Sequence, residues 1–452
     1  MKNVFILTAA LLIFSGCNEL TDITNIDIQG GTAGRKWTFI IYMAADNDLE
    51  SAAIADFNEL EAVRLGGAPV SIIVLLDRSP DFDATNGNWS GARVFEIKSD
   101  PRGLTSTFVS AQIDCLELGL TADTEIDLNT ADPLVLSRFI DFSKRVYPAE
   151  QYALFIWGHG NGWRGGVQNE PQQAPLKAIA FDDTRAQYMS LPSFGSAVAG
   201  KGLSVIAFDT CYAAILEVVY QIKNDAVLFV GSESPIPSTG WDYTALFNDF
   251  LQKPSLSIND LGDSIQNQFS LQYAGLSGVA ISQIQLSQVD NLFTEFDVFA
   301  GAVSEAVTNE GGRRIVLDEI LTNVESYYFT AAPSDLFIDI FDFSKKITAV
   351  RTSITSDEDR QNAVSSAANN LETALKSAVP SSWARNGSTG KIGVFVIPLQ
   401  EIGVPLASHD LAYVNGSLHL DKSAFVNNSQ HWVPNAVPKN DSLLDKLFYW
   451  TY

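Results

Sequence analysis

Apolar residues along the chain fall into short, dense runs. "KWTFIIYMAA" (36–45), "PVSIIVLLDR" (69–78), "ARVFEIK" (92–98), "QYALFIWG" (151–158), "LSVIAFD" (203–209) and "AVLFVGSES" (226–234) are each bounded by polar or turn-forming residues. Near-continuous runs of this length predict strands buried on both faces. Between them lie amphipathic segments. "DNDLESAAIADFNELEAV" predicts a helix capped by Asp46 or Asp48, and "TADPLVLSRFIDFSKRVYP" one with Asp132 as cap and Pro133 in its first position. "SLPSFGSAVAG" and "YAAILEVVYQIK" complete the series. Strand and helix alternate, which predicts an α/β domain with a mostly parallel central sheet between two helical layers.

Residues 36–254 carry this alternation and form the expected core. From about Ser255 to Ala378 the pattern turns mainly helical, as in "VDNLFTEFDVFAGAVSEAV" and "AVSSAANNLETALKSAV". "GKIGVFVIPL" (390–399) then reads as a returning strand. Residues 255–452 are thus expected to be a mainly helical extension wrapped on the same sheet.

The start of the chain follows other rules. "MKNVFILTAALLIFSGC" has a basic residue, Lys2, an apolar stretch from Val4 to Phe14, and small residues before Cys17. The apolar stretch is too short to span a bilayer and suits an export signal of residues 1–17. "FSGC" resembles a bacterial lipobox, in which Cys17 carries lipid; a simple secretory signal is the alternative. Residues 18–35, polar and ending Gly-rich, suit a flexible tether. The chain is then an exported lipoprotein of the cell envelope, held to the membrane by its lipid, facing either the periplasm or the outside.

Composition adds exclusions. The 452 residues carry 53 acidic against 29 basic side chains, a net charge of −24. Nothing resembles the clustered Lys and Arg that a nucleic-acid backbone requires. Three of the four histidines, His409, His419 and His431, lack ligand spacing, so no metal site is expected from them. With Cys17 committed to lipid, Cys115 and Cys211 are expected to be free thiols. A monomer is expected.

The remaining histidine and Cys211 sit where two of the strand runs stop. In open parallel sheets, ligands gather beyond the carboxyl ends of the strands. If the runs ending at Gly158 and Asp209 are neighbours, they lie roughly 5 Å apart and His159 and Cys211 share one crevice. Gly158, Gly160 and Gly162 let the backbone approach a ligand closely. Cys211 also reads as the start of a helix, which favours a thiolate. This is a recipe for acyl transfer, with the Cys211 thiolate as nucleophile, His159 as the acid that protonates the departing amine, and the backbone N–H groups of Gly160 and Cys211 as oxyanion donors.

"YALFIWGHGNGW" and "IAFDTCYAA" resemble the His and Cys motifs of the clostripain family of cysteine peptidases, which have a caspase-like fold. The 52-residue gap between His159 and Cys211 is close to the roughly 50 of caspase-type arrangements. "IYMAADNDLE", "AFDDT", "GWDY" and "DIFDFSKKI" are similar to further family segments. The resemblance implies a Cys211/His159 dyad, cleavage after Arg or Lys, and Asp209 as an acid of the specificity pocket. Asp209 reads equally well as a helix cap. In "PIPSTGW", Ser238 and Thr239 stand where relatives carry Gly and Asp, and Ser234 stands where relatives often carry another acid, so a second pocket carboxylate is missing. Self-cleavage between the His and Cys strands is also implied, with Lys177 preferred over Arg164; an uncut surface loop is the alternative. The chemistry requires no cofactor, although some members use calcium. The competing reading is a catalytically silent surface protein of the same fold that acts as a binding module.

Overall fold

A computed structural model describes residues 34–105, 107–162, 179–321, 323–328, 336–384 and 391–396, with Ser429, Leu443 and Leu447. In chain order the first half runs β1 (Trp37–Ala45), α1 (Glu50–Glu61), β2 (Val70–Arg78), β3 (Gly91–Glu96), β4 (Gln112–Ile113), α2 (Pro133–Val146), β5 (Gln151–Trp157), β6 (Ile179–Asp182) and β7 (Gln187–Met189). It continues through α3 (Leu191–Val198), β8 (Val205–Asp209), α4 (Leu216–Gln221), β9 (Leu228–Gly231), α5 (Tyr243–Leu251) and α6 (Ile258–Gln272). The remainder comprises β10 (Ala280–Gln285), α7 (Val289–Ala306), α8 (Glu310–Arg314), β11 (Ser326–Tyr328), β12 (Leu336–Asp339), α9 (Ile340–Ile354), α10 (Glu358–Ala378), β13 (Ser381–Ala384) and β14 (Gly393–Val396).

Nine strands form one sheet in the order β13-β10-β9-β8-β5-β1-β2-β3-β4. The central five, β9 to β2 in that order, are parallel, and the flanking strands run antiparallel. Side chains of β1 alternate between two cores. Ile40, Tyr42 and Ala44 join the layer built with α2, α3, α4, α7, α9 and α10. Trp37, Phe39, Ile41 and Met43 join the layer built with α1, α5 and α6. Each central strand is thus buried on both faces, as its unbroken apolar run requires. Phe39 lies at the centre of the second layer, with ring contacts to Trp37, Phe155, Phe247 and Phe250.

Helix starts follow local chemistry. Asp132 accepts from the Leu134 N–H with Pro133 at the first position, as the sequence predicts. Ser257 and Asp260 form a capping box on α6. The start of α1 differs from expectation: its N-cap is Leu49, with no side-chain cap. Asp46 instead accepts from Thr184 Oγ1, and Asp48 from a residue described below, so both carboxylates serve tertiary contacts.

Two strands in the second half escape a periodicity reading. β10 breaks its apolar run with the consecutive Ser282 and Gln283, and β13 contains only Trp383 and Ala384 as apolar members, yet both extend the main sheet. The returning strand, β14, lies in a separate sheet of order β11-β12-β14 and touches the core through a bridge from Gly393 to Ile215.

Candidate active site

β5 and β8 are hydrogen-bonded parallel neighbours, with Trp157 opposite Asp209. His159 and Cys211 each lie two residues beyond these ends, so the two loops leave the sheet side by side. Gly158 turns the first loop at φ +137°, and a Cβ there would lie 3.0 Å from the Ala44 carbonyl oxygen. Gly160 makes the closest approach: a Cβ would meet Cys211 O and Thr210 Oγ1, each at 2.6 Å. Only glycine lets the His and Cys loops touch.

Between them is a cavity of about 180 Å³ lined by Leu49, His159, Asp209, Cys211, Ile236 and Ser238, among others. Cys211 Sγ accepts from the Ile236 N–H at 3.2 Å. Its thiol pKa is raised, chiefly by burial and further by the charge of Asp209, while the Ile236 N–H works the other way. This corrects the expectation of a helix-stabilised thiolate. α4 begins only at Leu216, and Tyr212, at φ +55°, turns the chain in between. Burial thus disfavours the thiolate, and no helix N-terminus at Cys211 offsets it.

The imidazole of His159 is held by Asp48, whose place before α1 reads in sequence as a helix cap. His159 Nε2 lies 2.5 Å from Asp48 Oδ1. Asp48 sits in the turn between β1 and α1 with 61 % of its side chain exposed, and His159 with 27 %. A carboxylate on one ring nitrogen fixes the orientation of the imidazole.

Asp209 forms the acidic end of the cavity. Oδ2 accepts from the Trp241 N–H at 3.0 Å and the Tyr243 hydroxyl at 3.1 Å. Burial pushes its pKa up to about 7, against which these two donors act. The helix-cap alternative falls, because α4 starts at Leu216 with Ile215 in the capping position. Two further carboxylates lie close by. Asp56 accepts from Trp157 Nε1 at 2.6 Å, and Glu59 from the Tyr243 N–H at 2.9 Å. Burial, then repulsion from neighbouring carboxylates including Asp209, raises Asp56 well above the usual range; burial takes Glu59 to about 7. Gly240 lies between Asp209 and Asp56: a Cβ would be 2.8 Å from one carboxylate oxygen and 3.0 Å from the other. Sequence reading passed over Asp56 and Glu59 because acidic residues on an amphipathic helix ordinarily mark its wet side.

The positions that depart from the family pattern are also placed. Ser238 lines the cavity, whereas the Thr239 hydroxyl pairs with Tyr273 at 3.0 Å. Ser234 is buried and accepts from the Ala280 N–H at 2.9 Å, joining the loop after β9 to β10. Cys115 and Cys211 are both free thiols; burial pushes Cys115 up to about 12, which leaves it inert. Apart from the site, Asp46, Asp127 and Asp182 bring carboxylate oxygens within 4.8 Å of one another. Among the described residues, no helix is long and apolar enough to cross a membrane. The leader with Cys17, the loop residues Arg164 and Lys177, and His409, His419 and His431 lie outside the described residues.

Comparison with known proteins places this geometry. A sequence model of the clostripain family matches residues 41–401. Clostripain of Hathewaya histolytica is 25 % identical over 248 residues, a match spanning 51 % of this chain and 45 % of that protein. A secreted C11 cysteine protease of Bacteroides thetaiotaomicron, solved with an irreversible peptide inhibitor, superposes with a TM-score of 0.58 at 20 % identity, covering 87 % of this chain and 99 % of that one. An inactive zymogen C11 protease of Parabacteroides distasonis gives 0.56 at 17 %, covering 80 % and 92 %. The structural likeness carries the fold: the α/β/α sandwich expected from the strand pattern, of the caspase-like kind that the family resemblance implies. With most of its length matched by the family's own pattern, the chain belongs to the clostripain family of cysteine peptidases.

Proposed function

We propose that the protein is an exported cysteine endopeptidase acting through a Cys211/His159 dyad. The observation that carries this reading is the meeting of the His159 and Cys211 loops over one cavity at the ends of adjacent parallel strands. His159, held by Asp48 through Nε2, uses Nδ1 toward the substrate. It takes the proton of the Cys211 thiol as sulfur attacks the peptide carbonyl carbon. The tetrahedral oxyanion forms against the backbone N–H groups of Gly160 and Cys211. His159 then gives its proton to the departing amine, the C–N bond breaks, and a thioester remains. Water, losing a proton to His159, attacks the thioester, and the acid leaves as the thiol is restored.

Asp209 is the residue we assign to recognition of Arg or Lys before the scissile bond. A bound guanidinium or ammonium would favour its ionised form and pair with it in a desolvated site. Thr239, held by Tyr273, does not supply the second acid, so Asp209 acts with Asp56 behind Gly240. Self-cleavage near Lys177 and membrane attachment through lipid on Cys17 complete the reading, with the enzyme a monomer.

A Lys- or Arg-terminated peptidyl acyloxymethyl ketone, which alkylates active thiols, tests the dyad. The expected result is one adduct, mapped to Cys211, lost in Cys211→Ala and strongly slowed in His159→Ala. Cys211 untouched, or labelled no faster than Cys115, would favour the silent binding protein, which the raised thiol pKa already leaves as the competing reading.

A further inference from the structure

The small β11-β12-β14 sheet belongs to the extension, yet it meets both loops of the site. On the Cys211 side, the Gly393 N–H of β14 donates to Ala214 O at 3.0 Å, and Gly393 bridges Ile215. The ring of Phe337, in β12, stacks on that of Tyr212, with centroids 4.9 Å apart and planes 26° from parallel. On the His159 side, a Cβ at Gly162 would lie 3.2 Å from Tyr212 O and 3.3 Å from Phe337 Cε1, so the edge of the same ring closes on the His159 loop. Phe337 is fully buried, and it touches the residue after Cys211 and the end of the "GHGNG" turn at once.

Tyr212 is the strained member of this contact. At φ +55° it occupies left-handed backbone space that a bulky side chain rarely adopts. Such a conformation persists only where the surroundings over-determine it. Here the Tyr212 N–H donates to Ser234 O at 3.2 Å, and the Ala214 N–H donates to Ser232 O at 2.8 Å. The loop after β9 thus fixes the backbone of the turn, and Phe337 fixes its side chain. With the ring released, φ would relax to negative values and carry the neighbouring Cys211 with it. The support is itself anchored. Asp339, opposite Gly393 in the β12–β14 pairing, accepts from the Asp342 N–H at 2.6 Å and the Lys391 N–H at 3.0 Å. The start of "DIFDFSKKI" therefore locks β12 to α9 and to the approach of β14, directly behind Phe337.

We propose that Phe337 is a positioning residue of the peptidase, holding Cys211 in register with His159 through its contacts with Tyr212 and Gly162. The inference rests on the Cys211/His159 reading and adds to it that the extension takes part in the chemistry. Phe337 is not among the residues lining the cavity, so it does not meet substrate. A ring that keeps nucleophile and acid–base group in register acts on the rate of bond formation and leaves the affinity for peptide alone.

The test is alkylation of Cys211 in the full chain by a Lys-terminated peptidyl acyloxymethyl ketone, resolved into the affinity for the reagent and the rate constant of the bound complex, with Tm measured alongside. Phe337→Leu keeps an apolar side chain and loses the stack. Its rate constant should fall by about tenfold while the affinity stays within about twofold of native. Tyr212→Gly relieves the backbone strain as it removes the ring, so a fall of the same size there comes from the lost clamp and not from strain. It also keeps the test open if Phe337→Leu does not fold. Phe299→Leu, at a fully buried ring of α7 in the same core layer, gives the effect of a merely structural loss: a lower Tm with the native rate constant. A native rate constant in the Phe337 and Tyr212 variants that fold, a loss that falls on affinity instead, or an equal slowing in Phe299→Leu overturns the positioning role and leaves the dyad standing. A native chain that is not alkylated at Cys211 overturns the dyad reading, and the role of Phe337 with it.

Discussion

At the scale of single residues, the candidate site depends on groups whose chemistry is set by what surrounds them. Cys211 and His159 were legible in the sequence because a reactive side chain directly after a buried strand is out of place there unless the crevice beyond is used. Asp48 was not legible as their partner. A carboxylate shortly before a helix reads as a cap, and only the tertiary path of β5 brings His159 to 2.5 Å from it. Asp48→Asn therefore offers a direct check. Because Asp48 is largely exposed, the variant should keep its Tm, and KM should change little. Loss of the carboxylate that orients the ring should lower kcat by about tenfold, a part of what acid–base catalysis supplies. Equal kcat in the two proteins would remove Asp48 from the mechanism.

Among elements, the parallel pair β5 and β8 does the placing. The strand core was readable because each of its runs is apolar on both faces, which only a sheet between two layers can bury. The start of α4 was misread: "YAAILEVVYQIK" is helical in composition, but Tyr212 at φ +55° delays the helix to Leu216 and leaves Cys211 in a turn. β13 was missed because an edge strand need not be uniformly apolar, and β10, paired between β13 and β9, because Ser282, Gln283 and Gln285 break its apolar run. The meeting of the His159 and Cys211 loops depends on Gly160, and Gly160→Ala measures how closely they must meet. Its new methyl would press on Cys211 O and Thr210 Oγ1, and a shift of even an ångström between nucleophile and base should cost about a hundredfold in kcat/KM. A variant with native kcat/KM would show that the loops are not held in contact during turnover.

Over the whole molecule, acidity is the dominant physical fact: a formal net charge of −24 over the chain, with several of its carboxylates buried. Asp209 near 7, Glu59 near 7, and Asp56 and Asp77, both raised well above the usual range by burial, each hold a proton more tightly folded than unfolded. Their contribution to stability is complete below the unfolded values near 4 and is lost as pH rises through about 7. For Asp209 alone the shift from 3.8 to about 7 corresponds to about 4 kcal/mol. Without divalent cations, Tm should therefore rise as pH is lowered from 8 to 5.5, and Asp209→Asn should flatten the rise; a Tm that falls over this interval would contradict the burial of these groups as acids. The overall charge was plain in the sequence, but its concentration under the cavity and behind β1 was not, since those carboxylates come from separate elements. The central claim is that Cys211 cuts peptide bonds after basic residues. The most direct measurement is digestion of a peptide library, varied before the scissile bond, by the native chain and by Cys211→Ala. Cleavage after Arg and Lys that disappears in Cys211→Ala is the predicted result; identical digests from the two proteins would contradict it.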